Sequence, residues 1–280
     1  MLRSAGGVKA LSAADREWAL SVCAQDPVLN VFPAARILES GLSDSRAIVY
    51  GYRRAQTEAL CWTSANVVPV GGGERAIAAL ADKVIKRRRH ASSVFGPAEA
   101  VRALWHHLAP SWGPARELRE EQPVMTIRQP PAAAGLIGDP LVRVAVPEDL
   151  DAVMPAAEAM FTEEIGYPPY QGSGSAYRSG VAALLSRGHT LVRVEGETVI
   201  FKADLGSVAL GVAQVQGVWV HPEYRGHGLA VPAMATVLDH TLRHVAPTVT
   251  LYVNDFNTPA LATYERVGMR RTGTFSTILL

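Results

Sequence analysis

Apolar positions recur at helical spacing over residues 15–40, interrupted at Asp26-Pro27 and Phe32-Pro33, which predicts two or three short helices. The period then changes. Residues 47–52 and 57–63 are rich in strand formers and flank the polar Arg53-Arg54-Ala55-Gln56, the signature of a hairpin. Residues 66–70 predict a third strand, which runs into Gly71-Gly72-Gly73. Helical spacing returns over 74–89, followed by a short strand at 92–95, a helix at 97–108 and a strand at 124–128. Pro130-Pro131-Ala132-Ala133-Ala134-Gly135 has no period, stiff at first and then small and featureless, and residues 130–140 read as a linker.

Beyond the linker the pattern predicts a strand at 141–146, a helix start at Pro147-Glu148-Asp149 and a helix over 150–165. The run Tyr167-Pro168-Pro169-Tyr170-Gln171-Gly172-Ser173-Gly174-Ser175 breaks the period, which resumes as a helix over 176–187. Three consecutive strands follow at 189–194, 198–205 and 209–220, then a helix at 231–245, a strand at 248–253, a helix at 259–267 and a strand at 274–279. The order of elements on the two sides of the linker is parallel, so the chain is expected to be a tandem repeat of one fold, with domains at 1–129 and 141–280. Each is expected to be an α/β (α+β layered) domain, with helices flanking a mixed, mostly antiparallel sheet.

Composition narrows the function. At 280 residues and 48% hydrophobic content the chain can supply a core to each domain. A formal charge of +1 argues against a dedicated nucleic-acid binder, whose domains carry a marked basic excess. The run Lys86-Arg87-Arg88-Arg89-His90 falls at a predicted helix C-terminus, where cations complement the dipole, and this reading is preferred to a nucleic-acid or acidic-partner patch. Lysine is scarce beside arginine, and Ala, Gly and Val are abundant, a bias that points to a GC-rich bacterial genome. Cys23 and Cys61 lack metal-ligand spacing and read as buried thiols. No apolar run reaches membrane-spanning length, and the N-terminus lacks the apolar core of a signal peptide, so a cytoplasmic protein without membrane partners is expected.

The candidate chemistry gathers at Gly217-Val218-Trp219-Val220-His221-Pro222-Glu223-Tyr224-Arg225-Gly226-His227-Gly228-Leu229-Ala230. An apolar strand ends at a proline, a glycine turn follows, and a helix starts. Glycines let the backbone approach an anion, and the first helical turn offers unpaired N–H groups and the positive end of its dipole. Pro232 sits where a missing N–H costs nothing, and Arg225 adds a fixed charge. An isolated Gly-x-Gly also occurs in ordinary turns.

Two motifs go further. Arg225-x-x-Gly228-x-Ala230 resembles the pyrophosphate-loop motif of the GNAT N-acetyltransferases, Gln/Arg-x-x-Gly-x-Gly/Ala. Downstream, Asn257, Ala260, Tyr264 and Gly268 resemble, in spacing, that family's closing strand and helix. The resemblance covers residues 141–280 well and the first half weakly. In the first half Gly71-Gly72-Gly73 takes the loop's place, but Val68 stands where Gln or Arg is expected, and Gly96-Pro97 and Trp105 stand where the Asn and Tyr would be. The first half is therefore read as a degenerate GNAT-like domain without acyl transfer. The overall form is similar to bacterial tandem-GNAT proteins with a divergent N-terminal domain of unknown function, a group that includes the mycothiol-synthase type.

The resemblance implies acetyl-CoA as cofactor, released as CoA, and a primary amine of a small molecule or a protein lysine as acceptor. It places pantetheine along a splayed strand at Val218, Trp219 and Val220, and the pyrophosphate at Arg225, Gly226, His227, Gly228, Leu229 and Ala230. It puts Asn257 on the cofactor arm and makes Tyr264 the general acid. A phenol with a pKa near ~10 stays protonated at neutral pH and can still donate to a departing thiolate. The base is open: Glu163 and Glu164 come first, Asp204 is a weaker choice, and Gln214 and Gln216 cannot serve. Gly172-Ser173-Gly174-Ser175 is not a nucleophile elbow. His240 and His244, one turn apart, lack a third metal ligand and read as cations near a helix end. The alternative class is a catalytically silent CoA-binding sensor or interaction protein; oligomeric state is left open.

Overall fold

The computed structural model describes residues 7–43 and 47–280. Residues 1–6, on which the reading of the N-terminus partly rests, lie outside the described ones. The chain forms two compact units, and they do not follow chain order. The first comprises Met1–Val124, Tyr252–Asn257 and Arg271–Leu280; the second comprises Met125–Leu251 and Thr258–Arg270.

The first unit begins with β1 (Lys9–Ala10), α1 (Arg16–Cys23) and α2 (Val31–Ser40). Pro33 does not interrupt α2 as expected. It lies in the first turn, where the missing N–H costs no intrahelical hydrogen bond. The hairpin β2 (Ile48–Arg54) and β3 (Thr57–Thr63) closes through Ala55 and Gln56, with Ala55 at φ 53°. Then come β4 (Asn66–Gly71), α3 (Glu74–Val84), β5 (Ser93–Pro97), α4 (Ala98–Trp112) and β6 (Glu117–Ile127). The helical spacing at 74–89 divides, α3 passing at Ile85 into a 3-10 turn that holds the basic run.

Strand β6 starts seven residues before its expected position. Residues 117–121 are mostly charged and alternate between half-buried and exposed, so they carry no apolar signal, but they pair all the same. The strand beside β5 in this unit is not β6 but the last strand of the chain, β12 (Arg270–Leu279), antiparallel with Phe275 opposite Pro97 and Leu279 opposite Ser93. Buried Gln122 helps fix that arrangement: its amide donates to Asn254 Oδ1 at 2.8 Å and accepts from Thr277 Oγ1 at 2.6 Å. Ile278 of β12 joins the core made by Ile77 and Leu80 of α3 with Leu104 and Leu108 of α4.

The second unit contains β7 (Arg143–Val144), α5 (Leu150–Ile165), α6 (Ser175–Ser186), β8 (Thr190–Glu195), β9 (Thr198–Ala209), β10 (Val212–Val220), α7 (Ala230–His244), β11 (Thr248–Tyr252) and α8 (Thr258–Arg266). Its strands run in the order β11-β10-β9-β8-β7, antiparallel except β10 with β11. The strand expected at 141–146 shrinks to β7, because Leu141 and Val146 face solvent. Strand β9 runs past 205, since the chain reverses at Leu210-Gly211, both with positive φ, the geometry that suits a two-residue hairpin.

Residues 130–140, read as a linker, bind along α7. The Ala132 N–H donates to Asp239, the Asp139 N–H donates to the Pro232 carbonyl, and Thr236 Oγ1 donates to the Asp139 carbonyl. Arg193 pairs at 2.8 Å with the Asp139 carboxylate, which is buried. Gly138 permits the approach: a Cβ there would stand 2.4 Å from Thr236 Oγ1. Among the described residues no helix is long and apolar enough to cross a membrane.

Candidate functional site

Strand β10 is half paired on one side. Its parallel ladder with β11 covers Val212, Ala213 and Gln214, and among the described residues it ends there, while pairing with β9 continues to Val220. The two strands thus part after Gln214. Pairing with β9 is itself broken between Gln216 and Trp219, where β10 carries one residue more than β9, a bulge at Gly217-Val218. Gly217 has φ 58°, which only glycine adopts without strain, and a Cβ there would crowd Asp204, Met160 and Lys202 at 3.0–3.2 Å. A glycine inside a strand pattern was the signal that could have revealed this bulge.

From Val220 the chain turns through Pro222–Tyr224 to Arg225, then Gly226 at φ 79° and Gly228 at φ 80°, and enters α7 at Ala230. Both glycines are exposed, with no atom within 4 Å of where a Cβ would stand. The loop is an open cradle at a helix N-terminus, suited to an anion. His227 is exposed on it.

The side chains around this loop are linked in a way that spacing alone could not reveal. Arg225 donates from Nε to the Val220 carbonyl at 2.9 Å and from Nη2 to Glu163 Oε2 at 2.8 Å. The other oxygen of Glu163 accepts the Trp219 indole N–H at 3.1 Å. The candidate phosphate cation and one of the two candidate bases are therefore partners, and together they tie the loop to the last turn of α5. That helix ends at Gly166, whose left-handed conformation (φ 87°) lets its N–H return to the Thr162 carbonyl, leaving Glu163 and Glu164 on the final turn.

Tyr264 of α8 is buried. Burial first, and the charge of Glu164 second, push its phenol well above the ordinary range, so it remains protonated across neutral pH. The second unit thus brings exposed Glu164 into electrostatic reach of Tyr264 and Glu163 into contact with Arg225. Asn257 belongs to the Tyr252–Asn257 stretch of the first unit, where its N–H donates to the Asn254 carbonyl, and α8 starts at the next residue. Asp204 is buried and bound to Lys202 and Thr190. Gln214 is buried and Gln216 exposed.

Other candidates resolve into packing. His240 is held below its ordinary pKa, by burial first and by His244 second, so at pH 7 it is neutral and not the expected cation. Among the described residues no three potential ligands gather as a metal site. Arg88 of the basic run donates to the Trp112 carbonyl and lies 5.9 Å from the centroid of that indole ring. Cys23 and Cys61 are buried free thiols, their pKa raised by burial.

Residues 163–269 match the family model of the GNAT acetyltransferases. That part of the chain is a GNAT-family domain. The match contains the parted strands, the glycine loop, Arg225, both glutamates and Tyr264. A second model, a domain of unknown function (DUF4081), matches residues 47–153. No curated protein matches the sequence. Solved structures match the fold over nearly the whole chain. A Drosophila protein is 15% identical, with 98% of each chain covered and a TM-score of 0.67. A tandem GNAT protein from the clavulanic acid biosynthesis pathway is 14% identical over 97% of each chain, with a TM-score of 0.57. A GCN5-related N-acetyltransferase from Sphaerobacter thermophilus is 19% identical over 97% of this chain and 94% of its own, also at 0.57. The chain has a two-domain GNAT fold.

Proposed function

We propose that the GNAT domain is an N-acyltransferase that moves an acetyl group from acetyl-CoA to a primary amine, of a small molecule or a protein lysine. The observation that carries this reading is the open glycine loop before α7, Gly226 and Gly228 at positive φ with no atom within 4 Å of where a Cβ would stand, on the same unit as the buried phenol of Tyr264. The empty space over Gly226 and Gly228 fits a pyrophosphate, with the backbone of residues 226–230 as donors and Arg225 holding the loop in shape. Val218, Trp219 and Val220 lie where β10 has left β11 and offer backbone groups to pantetheine. Asn257 is assigned to the cofactor arm on its motif.

Bound acetyl-CoA supplies the activated acyl group. Glu164, exposed and near Tyr264, takes a proton from the incoming ammonium, so that the neutral amine attacks the thioester carbonyl carbon. A backbone N–H at the bulge stabilises the charge that develops on the carbonyl oxygen, without reorganising during the reaction. As the carbon–sulfur bond breaks, Tyr264 gives its proton to the sulfur, and the second proton, shed by the newly bonded nitrogen, passes through solvent to restore the phenol. Glu163, engaged by Arg225 and Trp219, is a positioning residue in this scheme.

Calorimetric titration of acetyl-CoA into the wild type and Arg225→Ala, followed by thiol release with a panel of amines, tests the assignment. Binding that weakens about tenfold in the variant, with release for some amine, is expected. Binding without release for any amine would instead support a CoA-binding interaction protein. Absence of binding would remove the cofactor assignment.

A further inference from the structure

Beneath the β10 bulge lies an ion pair that neither glycine loop nor general acid requires. Lys202 and Asp204 are two residues apart on β9 and share one face of the strand. Lys202 is 1% exposed and Asp204 5%. The ammonium donates to Asp204 Oδ2, and Thr190 Oγ1 donates to Asp204 Oδ1 at 2.8 Å. A third contact explains the placement: Lys202 Nζ also lies 3.4 Å from the carbonyl oxygen of Gly217.

A buried pair of this kind gives little net stability, because desolvating two charges offsets their attraction and well-packed apolar residues would do as well. Its worth lies in what it holds. Gly217 is the bulge residue, and the space beside it is filled by Asp204 Oδ2, Lys202 Nζ and Met160 Cε. Met160 stands one helical turn before Glu163 and Glu164 on α5, and Trp219, two residues past Gly217, donates to Glu163. The bulge is thus gripped from β9 by the ion pair and from α5 by the methionine. Tyr177, whose hydroxyl donates to the Ala157 carbonyl, also feels Asp204; burial first and that carboxylate second push its phenol up to about 12.

We infer that Lys202 and Asp204 are positioning residues whose buried pair locks the Gly217 bulge and so aims the backbone of Val218 at the acyl carbonyl. The inference rests on the proposed function for its catalytic consequence, though not for the lock itself. No proton or electron moves through the pair; it acts by fixing a backbone conformation.

Removing one partner alone would strand a buried charge, so the test uses the neutral pair Lys202→Met/Asp204→Asn, with Gly217→Ala as an independent way of breaking the bulge from the opposite side. Both are followed by thermal unfolding, kcat and KM for acetyl-CoA, amide hydrogen exchange of residues 212–220, and the infrared stretch of the thioester carbonyl of bound, isotopically labelled acetyl-CoA. The expected result for each folded variant is a kcat lower by roughly 100-fold, a KM changed by less than about threefold, faster exchange at 217–219, and a carbonyl stretch moved back toward its value in free acetyl-CoA. A purely structural role would lower the unfolding temperature and leave kcat and the carbonyl stretch alone; that result would overturn the inference. If the wild type binds acetyl-CoA but turns over no amine, the infrared and exchange readouts decide. If it does not bind, the proposed function fails, and unchanged exchange at 217–219 would sink the lock independently.

Discussion

Each unit places a glycine turn between a strand and a helix, and the two turns have opposite fates. In the first unit Gly71 and Gly72 have φ 64° and 77°, much like Gly226 and Gly228 at 79° and 80° in the second. The surroundings differ. A Cβ on Gly72 would stand 2.7 Å from that of Ala59 and 2.9 Å from that of Ala76, so the space an anion would need is filled by the protein itself. Glu74 then opens α3 and sets a carboxylate at the positive end of the helix dipole. In the second unit the same backbone faces open space, and the nearby cation is Arg225. Pro69 in β4 adds a further loss, because a proline offers no N–H to a strand edge. Backbone shape alone does not make an open anion site; the space before the helix N-terminus has to be left empty as well.

The largest expected effect on this contrast is at Tyr264, the proposed general acid. Tyr264→Phe should lower the transfer rate by roughly 10³-fold while acetyl-CoA affinity holds, because only the proton is removed. Trp105→Phe, at the corresponding place in the first unit, should leave that rate unchanged. An equal rate for Tyr264→Phe and wild type would show that the thiolate leaves without this phenol.

One substitution made in both loops sharpens the comparison. Gly72→Ala should cost about 2 kcal/mol or more of stability, through positive φ and close contact, and leave acetyl-CoA binding untouched. Gly228→Ala should cost about 1 kcal/mol of strain and weaken acetyl-CoA about tenfold. Thermal unfolding and calorimetry on the two variants read both quantities; a loss of binding in Gly72→Ala would revive the first loop as a ligand site.

The smallest effect is on pH dependence. Tyr264 is raised by burial first and by Glu164 second, so the alkaline fall in rate, which follows loss of the phenolic proton, should lie above the ordinary phenol range. In Glu164→Gln the like charge is gone and the anion is less disfavoured, so that fall should move to lower pH in whatever rate remains. A pH–rate profile with an unmoved alkaline limb would separate Glu164 from Tyr264.

Much of this was legible in the chain. The helix over 150–165 and the hairpin around Ala55-Gln56 follow from periodicity, because the side-chain repeats of helix and strand are local properties. The glycine turn between strand and helix at residues 226–228 was legible because its spacing is a local demand too. Where the reading stopped short, the deciding contact was distant in sequence. Residues 117–121 look like solvent-exposed coil, and the strand they form is evident only beside its partners. Residues 130–140 look like a linker until Gly138 lies against Thr236.

By itself, then, the sequence determined which stretches are helix or strand, where the turns fall, and which residue types are available to bind an anion and donate a proton. The tertiary structure alone decided that the last ten residues, Arg271–Leu280, join the first unit, that Arg225 is held by Glu163, that Glu164 acts on Tyr264, and that Lys202 is buried against Asp204. The reason is physical. Conformation is chosen residue by residue from local sterics and burial period, whereas the choice of strand neighbour and the fate of a charge depend on which groups the completed fold brings within a few ångströms and removes from water.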